Sequence, residues 1–159
     1  MARLNVLEYK ADFVRGWPNG VAVEMNYPTV AGSDILGNGD IVTVVEGGVQ
    51  KAVGAANEVF GMVARGKKDT FNEGGSGDGN LYNQVVPNIV LLSNFVVRTY
   101  NVEASTTLAA GQAAYVNAAV ELTHTAGTSE VFGTVLEREE GLQDANGTAV
   151  PIALVVLVK

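Results

Sequence analysis

Residues 58–63 read Glu-Val-Phe-Gly-Met-Val, and residues 130–135 read Glu-Val-Phe-Gly-Thr-Val, 72 positions later. Three further identities upstream keep the same spacing: Leu36 with Leu108, Gly39 with Gly111, and Val44 with Val116. Eight identities at one offset, four of them contiguous, indicate an internal duplication. The chain is therefore predicted to contain two copies of one β-rich unit, with residues 36–65 corresponding to residues 108–137.

An apolar run beginning with Val-Pro follows each copy. Residues 86–92 form the first run and residues 150–156 form the second, at an offset of 64. The smaller offset predicts that the first copy carries an insertion of eight residues. Residues 66–80 are polar and rich in glycine, so we expect an exposed loop there.

Composition favours short strands over helices. Only 17% of the 159 residues are charged and 19 are glycine, which suits strands joined by glycine turns. We predict an all-β fold, a small β-barrel or sandwich built from two internally duplicated β units with an extended N-terminal arm. The predicted divisions are residues 1–20 for the arm, 21–100 for the first unit and 101–159 for the second, the two units sharing one compact body.

Charge and cysteine content exclude several kinds of partner. The net charge of −7 makes the chain a poor ligand for nucleic acid, which needs a basic surface. The chain has no cysteine, so disulfides and thiolate metal sites are excluded. Charged residues interrupt the first sixteen positions, and the longest uncharged apolar stretch, residues 149–158, is too short to span a bilayer. We predict synthesis in the cytoplasm without a signal peptide, and no membrane partner.

The N-terminal segment lies outside both copies and has no clear period. It is open to two interpretations, an edge strand or an arm that docks its aromatic side chains on a neighbouring subunit. Under the second interpretation, deletion of residues 1–16 should leave folding intact. The candidate contact residues are Leu4, Val6, Leu7, Tyr9, Phe13 and Trp17.

The duplicated signature is predicted to fill the β core at two equivalent positions. A glycine inside a strand usually marks a bulge or a close approach of another backbone, and both copies carry one. The predicted core residues are Val59, Phe60, Gly61, Val63, Val131, Phe132, Gly133 and Val135.

Possible chemical motifs are all incomplete. Residues 61–67 have the glycine and lysine spacing of a phosphate-binding loop, but position 68 is lysine where a hydroxyl is required. Residues 74–80 lack the tandem copies that a calcium-binding β-roll needs. His124 is the only histidine, and the acidic run at residues 137–140 is interpreted as a solvated turn. We therefore predict no catalytic residue, no cofactor and no metal site.

The order of these features resembles that of the head-decoration, or capsid cement, proteins of tailed bacteriophages. Residues 36–44 read Leu-x-x-Gly-Asp-Ile-Val-x-Val, and a Gly-Gly hairpin and Val-Phe-Gly-x-Val follow. The second unit reads Leu-x-x-Gly-Gln-x-x-Tyr-Val at residues 108–116, then Val-Phe-Gly-x-Val-Leu-Glu and Val-Pro-Ile-Ala-Leu. The resemblance covers residues 35–158, most of the chain.

The resemblance implies a small β-barrel-like structural protein without catalytic residues. Such a protein binds the outer surface of the phage shell and clamps neighbouring capsomers of the expanded head. Its partners would be the major capsid protein and further copies of itself, as a homotrimer or alternatively a dimer. The other functions considered are a tail, baseplate or fibre-adaptor component, a carbohydrate- or ligand-binding β module, and an enzyme.

Overall fold

The computed structural model describes residues 6–14, 24–30, 35–66, 68–69 and 88–159. The predicted loop at residues 66–80 falls almost entirely outside these ranges. Twelve strands are present in the described part of the chain. Their bounds are β1 Val6–Leu7, β2 Ala11–Val14, β3 Glu24–Tyr27, β4 Ile41–Val45, β5 Gly48–Lys51, β6 Phe60–Arg65, β7 Asn88–Leu91, β8 Phe95–Thr99, β9 Ala113–Val116, β10 Leu122–Thr123, β11 Gly133–Asp144 and β12 Ala149–Val158.

The strands form two sheets, so the all-β prediction is confirmed. The smaller sheet has the order β3-β7-β6-β4-β5, and all of its strand pairs are antiparallel. The larger sheet has the order β10-β9-β11-β12-β8-β2, with β1 pairing in parallel with the far end of β11. Without β1 and β2, the larger sheet repeats the strand order of the smaller one.

The repeat extends to the register of the strand pairs. Corresponding pairs match across the two sheets: Ile41–Met62 with Ala113–Thr134, Val42–Gly61 with Ala114–Gly133, and Met62–Leu91 with Thr134–Leu157. Both sheets also carry a β-bulge at the same position, Ala64 in β6 and Leu136 in β11. The last strands of the two units are related by 66 positions, as Leu91 and Leu157 show. The predicted offset of 64 is therefore wrong, and the insertion is six residues rather than eight.

Equivalent loops are held by equivalent hydrogen bonds. The N–H of Gly39 donates to the Val63 carbonyl, and the N–H of Gly111 donates to the Val135 carbonyl, both at 2.8 Å. Both glycines have positive φ, 84° and 88°, a conformation that costs other residues energy. The sequence repeat from which the fold was predicted is thus present in the backbone.

Each unit brings two edges of its sheet together. A parallel bridge joins Thr29, just after β3, to Val49 in β5, and a second joins Val102, after β8, to Leu122 in β10. The hydrogen-bond pattern is the same at both bridges. Val49 donates its N–H to the Pro28 carbonyl and accepts from the Val30 N–H. Leu122 donates its N–H to the Asn101 carbonyl and accepts from the Glu103 N–H. The first strand of each unit, β3 or β8, therefore pairs with the last strand, β7 or β12. The residues that follow it contact the third strand, β5 or β10.

The division between the units lies earlier than the sequence predicted. β8 pairs with β12 in the same register in which β3 pairs with β7, so β8 opens the second unit. The predicted boundary at residue 100 falls one strand too late. The chain bends at residues 93–94, so β7 and β8 are separate strands.

The described part of the N-terminal segment belongs to the larger sheet of its own chain, so it is not a free arm. β2 pairs with β8, and Leu7 and Ala11 are buried. The side-chain amide of Asn38 accepts from the Ala11 N–H at 2.8 Å and donates to the Ala11 carbonyl at 3.0 Å. It also donates to the Ala64 carbonyl at 3.1 Å, which ties β2 to β6. Of the two sequence interpretations, the edge strand describes residues 6–14.

One core joins the two units. Its largest cluster of buried side chains combines residues of both sheets, and the rings of Phe60 and Phe132 meet in it with centroids 5.9 Å apart. A second cluster, around Leu36, lies inside the first unit. Most signature residues are core residues as predicted, namely Phe60, Gly61, Val63, Phe132, Gly133 and Val135. Val59 is not, because its side chain is 59% exposed, and Val131 is half-buried.

Candidate interaction surface

A groove of about 920 Å³ lies between residues 6–14 and the outer face of the larger sheet. We call it the N-terminal groove. Val96 and Arg98 of β8 line its floor, and they point away from the core because the neighbouring Val97 points into it. The groove exists because β1 pairs with β11 while β2 pairs with β8, so the chain between them passes over the strands in the middle.

Exposed apolar side chains surround this groove. Four of the large hydrophobic residues that remain exposed in the described chain line it: Val6 at 42%, Tyr9 at 55%, Val14 at 43% and Leu136 at 37%. Single exposed apolar residues are ordinary, but several around one concavity are typical of a surface that another protein covers.

The charged residues of the groove are mostly acidic. Arg98 on the floor makes a two-fold hydrogen bond with Glu139, with N–O distances of 2.9 and 2.8 Å. The Glu139 hydrogen bond raises the pKa of Arg98 above its ordinary value, while partial burial opposes that shift. Glu8 and Asp12 are exposed and also line the groove. With Arg98 neutralised by its partner, the surface favours a ligand that carries positive charge.

The predicted contact residues divide into three groups in the structure. Val6, Leu7 and Tyr9 line the groove. Phe13 faces the opposite way and packs its ring on Phe95, with centroids 5.7 Å apart. The two remaining candidates, Leu4 and Trp17, lie outside the described residues.

The sequence interpretation missed the contribution of β11. The predicted solvated turn at residues 137–140 is wrong, because β11 continues to Asp144 and its Glu139 is largely buried against Arg98. Arg138 reaches back to the carbonyls of Thr106 and Leu108, both at 2.9 Å. The alternation of charged residues along this segment could have indicated a strand, because a strand places Glu137 and Glu139 on one face.

A smaller concavity, of about 420 Å³, lies where the two signatures meet. Two glutamates, Glu58 and Glu130, line it and accept different hydrogen bonds. The carboxylate of Glu58 accepts hydrogen bonds from the N–H groups of Val53, Gly54 and Ala55, whereas Glu130 accepts one from Asn57 at 3.3 Å. These carboxylates hold loops in place, and the other polar side chains that line the concavity are Ser93 and Lys159.

Metal-ligating side chains do not cluster in the described residues. No group of three or more histidine, cysteine, aspartate or glutamate side chains there could hold a metal ion. The Nδ1 atom of His124 lies 3.1 Å from the Thr106 hydroxyl, which fixes the ring at a strand end. Over the same residues, no helix is long and apolar enough to cross a membrane.

Comparisons of the chain with protein-family models, with curated proteins and with solved structures found no match.

Proposed function

We propose that this protein is a structural component of a bacteriophage virion that binds the outer surface of the capsid. In this role it stabilises the expanded head by clamping neighbouring capsomers, with the major capsid protein and further copies of itself as partners. We place a homotrimer first among its oligomers and a dimer second.

The N-terminal groove is the observation that carries the proposal. It combines exposed apolar side chains with an acidic rim, and such a surface suits docking of a protein segment that presents apolar and basic residues. Each contact is modest, but an oligomer that engages several capsomers together gains strength from the number of its contacts.

Co-sedimentation with expanded, empty phage heads tests the proposal. The purified protein should pellet with heads and should stay in solution without them. Leu136→Asp places a charge among the apolar side chains of the groove and should weaken this binding at least tenfold. Val59→Asp is the matched control, because Val59 is also an exposed apolar residue, at 59% against 37% for Leu136, but lies outside the groove.

Two results would contradict the proposal. Wild-type protein that ignores heads but pellets with isolated tails or fibres would instead favour the tail, baseplate or fibre-adaptor function. Equal loss of head binding in both variants would mean that the groove is not the surface that contacts the capsid.

A further inference from the structure

The first strands of the two units, β3 and β8, differ in what lies along their outer edge. β8 pairs with β12 on one side and with β2 on the other. β3 pairs with β7 in the same way, but no strand of the described chain lies along its second edge. Among the described residues, the first unit therefore has no counterpart of the strand β2 that lies along β8 in the second unit.

The backbone groups along this edge can be identified from the repeat. Ala11 uses its N–H and carbonyl on Asn38, so it is the adjacent pair, Asp12 with Arg98, that exchanges hydrogen bonds between β2 and β8. Asn26 occupies the position of Arg98 in the first unit, since both face equivalent residues, Ile89 and Val155. The N–H and carbonyl of Asn26 therefore point to the open edge.

A hydrogen bond of Pro28 independently indicates that the backbone groups of Asn26 point away from β7. The carbonyl of Pro28 accepts from Val49 of β5, on the side of the strand away from β7. Backbone groups two residues apart in a strand point the same way, so those of Asn26, and of Glu24 before it, share this side. Unpaired edge groups of this kind are a template for a further strand.

Side-chain exposure supports the same conclusion. Val97 in β8, which lies opposite Phe13 of β2, is fully buried in the core, at 0% exposure. Met25, which occupies its position in β3, is 43% exposed. Of these two equivalent side chains, the one beside a described strand is buried, and the one beside no described strand is exposed.

We propose that β3 pairs with β3 of a second copy of this chain, antiparallel across a twofold axis at Met25. In this register Asn26 of each copy lies opposite Glu24 of the other copy. The outward N–H and carbonyl groups of Asn26 and Glu24 are then hydrogen-bonded in both copies. The two Met25 residues face each other directly and cover one another. The alternative register, centred on Asn26, would bring Pro28 opposite Glu24 and lose hydrogen bonds, because proline has no N–H.

The other strand edges of the described chain are less suited to pairing. Asn38 occupies the groups of Ala11 on β2, and the parallel bridges occupy Val49 on β5 and Leu122 on β10. The β3 contact is short, so we expect a reversible dimer rather than a permanent one. The inference does not depend on capsid binding, and its test uses the purified protein without phage heads.

Disulfide trapping tests the register, because the chain has no cysteine of its own. Met25→Cys places two thiols in a non-hydrogen-bonded antiparallel pair, where Cα atoms about 4.5 Å apart fall within the range of disulfides. Under mild oxidation we expect rapid formation of a covalent dimer. Val53→Cys is the control, because Val53 is more exposed, at 61%, and random collision would favour it.

A backbone change tests the hydrogen bonds. Asn26→Pro removes the outward N–H but leaves the pairing with β7, so the monomer should keep its circular dichroism spectrum and melting temperature. It should weaken dimerisation of the otherwise native chain at least tenfold in sedimentation equilibrium and abolish trapping of Met25→Cys. Trapping of Met25→Cys no faster than that of Val53→Cys would overturn the proposal. So would a wild-type chain that stays monomeric at millimolar concentration.

Discussion

Phe132 lies in the core where the two units meet. It is 1% exposed and its ring meets that of Phe60, so truncation removes contacts with both units at once. We expect Phe132→Ala to lower the free energy of unfolding by about 3–5 kcal/mol. Urea denaturation followed by fluorescence measures the change.

The matched control for this change is Val59→Ala, in the same signature but 59% exposed. It should alter stability by no more than about 0.5 kcal/mol. Equal effects of the two substitutions would mean that the ring contact is not part of the native core.

Tyr100 makes the stability sensitive to alkaline pH. Burial, with a smaller effect of Asp144, raises the pKa of Tyr100 above its ordinary value of 10.0. Above pH 10 the unfolded chain loses this proton before the folded protein does, so the free energy of unfolding falls as pH rises through that range. We expect Tyr100→Phe to lose less stability than wild type between pH 9 and about pH 11.

Tyr9→Phe is the control for Tyr100→Phe, because it removes the same hydroxyl from a ring that is 55% exposed. Chemical denaturation at several pH values gives both slopes. If the two variants changed the pH dependence equally, burial of Tyr100 would not be the cause.

At the scale of elements, the N-terminal strands are the part that the sequence could not place. Their periodicity is poor because each strand is short and their partners, β8 and β11, lie far along the chain. Asn38 gives no sequence signal for its contact with Ala11, since the contact depends on two segments meeting in space. The spacing of Phe60 and Phe132, by contrast, was visible because duplication copies local features together.

The two mid-strand glycines show how far a local signal extends. A Cβ on Gly133 would lie 2.4 Å from the Leu157 carbonyl oxygen, so the predicted close approach of a backbone is confirmed there. A Cβ on Gly61 would lie 2.7 Å from the Val90 side chain and 3.1 Å from the Leu91 carbonyl oxygen. The same strands carry bulges, but these are three residues beyond each glycine, at Ala64 and Leu136. Pairing register is a property of two strands, and the Val-Pro motifs alone led to an offset that pairing does not follow.

Deletion of residues 1–14 should destabilise the protein rather than leave folding intact. It exposes the buried partners of Leu7 and Ala11 and removes the ring of Phe13 from Phe95. Loss of these contacts should lower the free energy of unfolding by about 3 kcal/mol or more. A deletion variant with unchanged stability would restore the interpretation of a free arm.

Asn38→Ala tests the hydrogen bonds that hold β2 separately from its apolar contacts. It leaves three backbone groups, on Ala11 and Ala64, without their amide partner. We expect a loss of about 1–3 kcal/mol, together with faster hydrogen exchange at the Ala11 amide. Asn38→Asp keeps the acceptor but not the donor, so it should protect that amide better than alanine does.

For the whole molecule, the shared core predicts a single unfolding transition. The largest buried cluster draws on both sheets, and removal of either unit would expose the Phe60–Phe132 contact to water. Calorimetric and van't Hoff enthalpies should therefore agree, as they do when a domain unfolds in one step. Phe60→Ala, a change in the first unit, should move this one transition to lower temperature instead of splitting it. Two transitions, only one of them shifted by Phe60→Ala, would mean that the duplicated units fold independently.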